Sequence, residues 1–242
     1  MTHFAVIFRS LLHHWRINVS VALGVAAATA VLTGALVVGD SMRGSLRDLR
    51  LKSLGFIDHI LLTERFFREE LAGEVAGVEG FDEHFTAAIP VILLQTSIKH
   101  ADTERLASQV TTLGFDEDFW QLDPGISPPT VENEDDAYDQ IVVNQKLADE
   151  LGVSDVGEWV LLRVPRPSQI PADSPLGRKT DQTSSRRLKI THILPNHGLA
   201  RFSLNSSQQT PLVAFVPKRI LQSSSVLNQK GKINAVIIAG KQ

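Results

Sequence analysis

From Ile17 to Gly39 the chain runs through 23 positions without a charged side chain. As a helix, rising about 1.5 Å per residue, that run spans roughly 34 Å, more than a bilayer's hydrocarbon core of about 30 Å. The pattern predicts a transmembrane helix over 17–39. A cleaved signal peptide is the rival reading, but its apolar region is usually only about 7 to 15 residues long. Upstream, Phe4, Ile7, Phe8, Leu11 and Leu12 recur at helical spacing, and Trp15 and Arg16 suit a membrane interface. Residues 1–16 are therefore expected to lie on the membrane surface as an amphipathic helix. Downstream, Met42, Leu46 and Leu49 keep the helical period, so the helix is expected to continue as a stalk over 40–54, with Gly55 as its C-terminal cap.

Beyond Gly55 the periods alternate. "FIDHILLT" reads as a strand, "FFREELAGEVAGV" as a helix, and "HFTAAIPVILLQTSI" as one long strand or two shorter ones around Pro90. "ERLASQVTTLGFD", "IVVN", "EWVLLRV", "RRLKITHIL", "PLVAFVP" and "KINAVIIAG" add strands, while "QKLADELGV" and "KRILQSS" read as short helices, the first ended by Gly152. The Pro/Ser-rich stretch around 165–185 reads as a mobile insert. Strands mixed with a few helices predict an α+β domain over 55–242.

Charge is unevenly placed. Met1–Leu54 carries six basic and two acidic residues, a net +4, so the whole-chain −3 leaves −7 on the remainder. An acidic body without clustered Lys and Arg argues against a nucleic-acid partner. The absence of cysteine excludes disulfides and thiolate metal sites. Within the apolar run, small residues recur every four positions, as Ser20, Gly24 and Ala28 and as Ala22, Ala26, Ala30 and Gly34. Such rows suit close helix packing in lipid, although an alanine-rich anchor with no partner gives the same rows. Two arginines precede the span and four basic residues soon follow it, a count that on its own places the N-terminus outside.

Candidate chemistry is sparse. Gly39-Asp40-Ser41 resembles the nucleophile block of GDSL esterases, which also need a later Asp-x-x-His. None of His59, His84, His100, His192 and His197 has Asp three places earlier. There is no G-x-x-x-x-G-K-[ST] and no H-E-x-x-H. Glu132, Glu134, Asp135, Asp136 and Asp139 lack the spacing and central glycine of an EF-hand, and read as a solvated loop. The expectation is a chain with no catalytic residue, no metal site and no cofactor.

"IVVNQKLADELGVSDVGEWVLLRV", marked by Asn144, Lys146, Leu147, Ala148, Leu151, Gly152, Gly157 and Val160, resembles a passage of MacB/FtsX-like ABC transporter permeases. So do "LGFDEDFWQLD", "TPLVAFVPKRILQ" and the closing "INAVII". The resemblance implies a first transmembrane helix followed by an extracytoplasmic core domain, with the N-terminus in the cytoplasm and the anchor in the cell inner membrane. It further implies a cytoplasmic ABC ATPase, a second permease subunit, surrounding membrane lipid and an envelope partner protein. Relatives move or export lipoproteins, peptides or small molecules. The family continues into three more membrane helices, so the chain is expected to be an N-terminal fragment. An anchored binding or scaffolding domain without transport is the alternative, and an anchored hydrolase the third reading.

Overall fold

The computed structural model describes residues 9–10, 12–123, 125–126, 139–165, 183–204 and 209–241. The expected surface helix over 1–16, the insert around 165–185 and the acids Glu132 to Asp136 fall wholly or largely outside them. The chain divides into two compact units, Met1–Arg50 and Leu51–Gln242.

Most of the first unit is α1, which runs unbroken over Trp15–Leu54, its last four residues belonging to the second unit. Its alanines and leucines favour helix, and neither Gly39 nor Gly44 interrupts it, since an internal glycine weakens a helix by only about 1 kcal/mol. Ser20, Thr29 and Thr33 return their hydroxyls to the carbonyls of Arg16, Val25 and Thr29, at 2.9, 2.8 and 2.7 Å. These bonds leave the side chains with no donor that requires water.

The second unit contains β1 (Ile57–Arg68), α2 (Glu70–Ala76), α3 (Phe81–His84), β2 (Phe85–His100), β3 (Leu106–Phe115), β4 (Gln140–Asn144) and α4 (Gln145–Leu151). It continues with β5 (Trp159–Pro165), β6 (Thr183–Leu194), β7 (Val213–Pro217), α5 (Lys218–Gln222) and β8 (Lys232–Gly240). Short 3-10 turns occupy Glu117–Leu122 and Gly198–Arg201. The α+β class expected from the alternating periods is the class observed.

The eight strands follow the order β1-β8-β2-β3-β7-β4-β6-β5, and β2 pairs with β5 as well. That extra pairing closes β2, β3, β7, β4, β6 and β5 into a ring. Strand β2 serves both parts of the sheet: Phe85–Val91 carries β8, whereas Ser97–His100 carries β5. Pro90 falls opposite Val236, and pairing with β3 begins only at Ile92. Its missing N–H is tolerated where the strand has a neighbour on one side alone, so β2 continues through it as a single strand of 16 residues.

Successive side chains on a strand point to opposite faces, and here both faces are covered. Ile141, Val143, Ala214 and Val216 join one core with Leu147, Leu151 and Leu221, while Val142, Val213 and Phe215 join the other. The second core is aromatic. Trp120 lies 5.2 Å from both Phe115 and Phe215, ring centroid to ring centroid, and Leu54 and Ile57 pack against this group.

Two boundaries differ from the sequence reading. Residues Phe66 to Arg68 belong to β1 and not to a helix, because Phe67 and Arg68 pair with Ile233 and Lys232 of β8. The helix starts only at Glu70. Gly55 does end α1: its φ is +57°, and an added Cβ would lie 2.6 Å from the Leu122 carbonyl oxygen. Phe56 N–H donates to that same oxygen at 3.0 Å.

Candidate functional site

Two features carry what function the described residues offer: the apolar surface of α1, and the polar side chains that hold the motif segments of the second unit together.

Along α1, Trp15–Asp48 is long and apolar enough to cross a membrane, and none of its most apolar stretch is buried. Leu23, Val31, Leu36 and Val38 are each more than 60% exposed, so the helix presents apolar surface all round. The glycines at 24, 34, 39 and 44 have no neighbour within contact of an added Cβ. The small-residue rows therefore meet no packing partner among the described residues.

Ser41 lies inside the regular helix and not on a strand-end turn. That removes the local geometry on which the esterase reading depends.

In the second unit the marked motif residues form joints. Asn144 is fully buried at the N-terminus of α4. Its Oδ1 accepts from Leu147 N–H at 3.0 Å and Val213 N–H at 3.2 Å, and its Nδ2 donates to the carbonyls of Ala200 and Pro211 at 2.9 and 2.8 Å. One amide thus caps a helix and fixes the start of β7. Leu147, Ala148, Leu151 and Val160 lie in the core, and Lys146 is exposed with its N–H on Asn196 Oδ1 at 3.1 Å. Gly152, at φ +71°, ends α4 in the left-handed conformation. Gly157 N–H donates to the Ile190 carbonyl at 2.7 Å.

The other passages are joined in the same manner. Lys218, 6% exposed, places its ammonium 2.5 Å from Asp116 Oδ2 and 3.4 Å from Glu69 Oε2. Asp123 Oδ2 accepts from Leu199 N–H at 3.0 Å. Asn234, the one polar residue of "INAVIIA", exchanges two hydrogen bonds of 2.8 Å with the backbone of Leu93, next to the last β2–β8 pair. Its amide stands in for backbone where the two strands part.

His59 and His84 lie against one shared ring, whereas His100 is at the far end of β2. His59 lies 5.6 Å edge-on from Phe85, and His84 is on the same ring at 6.3 Å. Buried His100 accepts the N–H groups of Asp102 and Thr103 at Nδ1, both at 3.1 Å, so its Nε2–H donates to Glu158 Oε2 at 2.6 Å. This hydrogen bond, aided by the Asp155 and Ser154 N–H groups, holds the Glu158 carboxyl below its ordinary range. Asp139, read from sequence as part of a solvated acidic loop, is half-exposed and pairs with Arg186 at 2.7 Å. Among the described residues, no three His, Asp or Glu side chains are grouped to hold a metal ion.

The chain is similar in structure to the periplasmic region of MacB from Actinobacillus actinomycetemcomitans, at a TM-score of 0.45 and 9% sequence identity, over 76% of this chain and 73% of that one. It is also similar to a domain of a protein described as a permease from Porphyromonas gingivalis, at a TM-score of 0.40 and 14% identity, over 72% of this chain and 68% of that one. No family model matches the chain, and no curated protein matches it either.

Sequence reasoning missed the Lys218–Asp116 pair, the His100–Glu158 pair and the role of Asp123. A lone polar residue in an apolar strand was the available signal for Asn234. The others carry no local signal, because their partners are distant in sequence.

Proposed function

We propose that the chain is a permease subunit of a MacB/FtsX-type ABC transporter, in which 17–39 anchors the protein in the cell inner membrane, 40–54 is a helical stalk and 55–242 forms an extracytoplasmic domain. The observation that carries this reading is α1. A helix with apolar side chains on every side and no protein covering them is stable in lipid and a liability in water.

The motif passages support the permease class over a generic anchor, since the segments around Asn144–Val160, Leu113–Asp123 and Thr210–Gln222 resemble those permeases in sequence. On this reading a cytoplasmic ATPase supplies the energy, a second permease subunit completes the pair, and movement passes along α1 to the outer domain. The substrate is a lipoprotein, a peptide or a small molecule.

The test uses the protein in its native membrane. Purified in mild detergent, it should retain a P-loop ATPase in stoichiometric amount. Protease added outside the cytoplasmic membrane should digest the 55–242 region and spare the membrane-embedded part of the N-terminal helix. A protein that carries no ATPase, or whose folded domain is protected from outside, sinks the reading.

A further inference from the structure

The apolar span ends in an unusual pattern of charge. Asp40 is the first charged residue after Ile17–Gly39, and Arg43 and Arg47 follow it at a spacing of four. At about 100° per residue the two arginines lie within about 40° of each other on one helix face, and Arg50 continues the row in sequence. Both side chains are exposed, and neither forms an ion pair with Asp40, Asp48 or any other described residue. Like charges at this spacing repel; Asp40, three positions before Arg43, offsets that only in part, and Arg47 has no acid three or four positions away.

Height along the helix supplies the second constraint. Arg43 stands about 6 Å beyond Gly39, and Arg47 about 12 Å. The headgroup layer is roughly 5 to 8 Å deep on each side of the hydrocarbon. In an α-helix every Cα–Cβ bond tilts toward the N-terminus, which for these residues is toward the bilayer. Arg43 therefore lies at phosphate level, and the long Arg47 side chain leans back to it. A guanidinium fork matches two oxygens of a phosphate, and two forks on one face match an anionic headgroup without having to displace a lipid amine. At the other end of the span Arg16 is differently placed, 5.8 Å from the centre of the Trp15 ring.

We propose that Arg43 and Arg47 form a clamp for the phosphate of anionic phospholipids in the leaflet through which α1 emerges. The proposal rests on α1 crossing the bilayer.

The test incorporates the full chain into bilayers of equal phosphatidylglycerol and phosphatidylcholine, extracts it gently with nonionic detergent, and measures the retained lipids by mass spectrometry. Wild type should retain several-fold more phosphatidylglycerol. Arg43→Gln with Arg47→Gln should bring the ratio close to one, whereas Arg9→Gln with Arg16→Gln should leave the enrichment in place. Equal retention by wild type, or enrichment that survives in the Arg43/Arg47 variant, overturns the clamp. So does enrichment abolished by inorganic phosphate, which would make the pair a soluble-anion site. Resistance to alkaline carbonate is scored on the same samples. A chain that inserts without enrichment defeats the clamp alone, and one that carbonate strips from the bilayer defeats the membrane-spanning reading along with it.

Discussion

At the scale of single residues, the second unit depends on buried polar groups that tie distant segments together, Asn144, Lys218 and Asn234 among them. Asn144 is the strongest case, because its four hydrogen bonds reach a helix, a strand, a 3-10 turn and a loop. Asn144→Ala leaves those backbone groups without a partner, each costing about 1–3 kcal/mol if it stays dry. Relaxation and water entry reduce the sum, so a loss of about 3 kcal/mol is expected, read as a lowered midpoint in urea by tryptophan fluorescence. Asn144→Asp should be comparably damaging, since a carboxylate cannot donate to the Ala200 and Pro211 carbonyls. Near-wild-type stability in both variants would show that Asn144 is not a joint. Lys218 makes a less obvious prediction. Its ammonium is buried, while the side chains of its partners Asp116 and Glu69 are 52% and 35% exposed. Removing the lysine frees acids that water can solvate, but removing Asp116 strands a buried cation near a more distant carboxylate. Asp116→Ala should therefore destabilise more than Lys218→Met, by about 1–2 kcal/mol. The reverse order in urea melts would contradict this account.

At the scale of elements, Glu158 ties the end of the β2–β3 hairpin to the start of β5, through His100 on one side and the Ser154 and Asp155 N–H groups on the other. Its carboxyl is held below the ordinary carboxylate range. A depressed folded-state pKa stabilises the fold above the unfolded value, and that contribution is lost as pH falls through the folded value. Melting temperature should therefore drop more steeply between about pH 5 and pH 3 in wild type than in Glu158→Gln. Parallel curves would place the titration elsewhere. The same joint shows where sequence legibility ends. Helix α1, the β4–α4 unit with its Gly152 cap, and strands β5 to β8 were legible because period, turn residues and caps are local signals. Strand β1 through Phe66–Arg68 was not, since pairing with β8 overrode a helical pattern. Nor was the ring closed by β2 and β5, which joins Ser97 to Arg163. The motif passages looked separate in sequence, and contacts such as Asp116–Lys218 and Asn144–Val213 bring them together only in the fold.

At the scale of the whole molecule, the proposed function requires that motion pass along α1, so its continuity across Gly39 and Gly44 becomes the property to test. The helix is unbroken there, and neither glycine is crowded. Gly44→Ala should add helix propensity of about 1 kcal/mol without any clash. Gly44→Pro removes the N–H that bonds to the Asp40 carbonyl and presses its ring against that carbonyl, costing about 3 kcal/mol and introducing a kink. Neither substitution touches the cores of the second unit, so both variants should fold and insert in the membrane. If α1 transmits movement, Gly44→Pro should leave ATP hydrolysis by the partner running while abolishing any ATP-dependent change in protease sensitivity of the outer domain. Gly44→Ala should keep that change. Coupling that survives the proline would mean that this helix is an anchor only, with movement carried by other parts of the transporter.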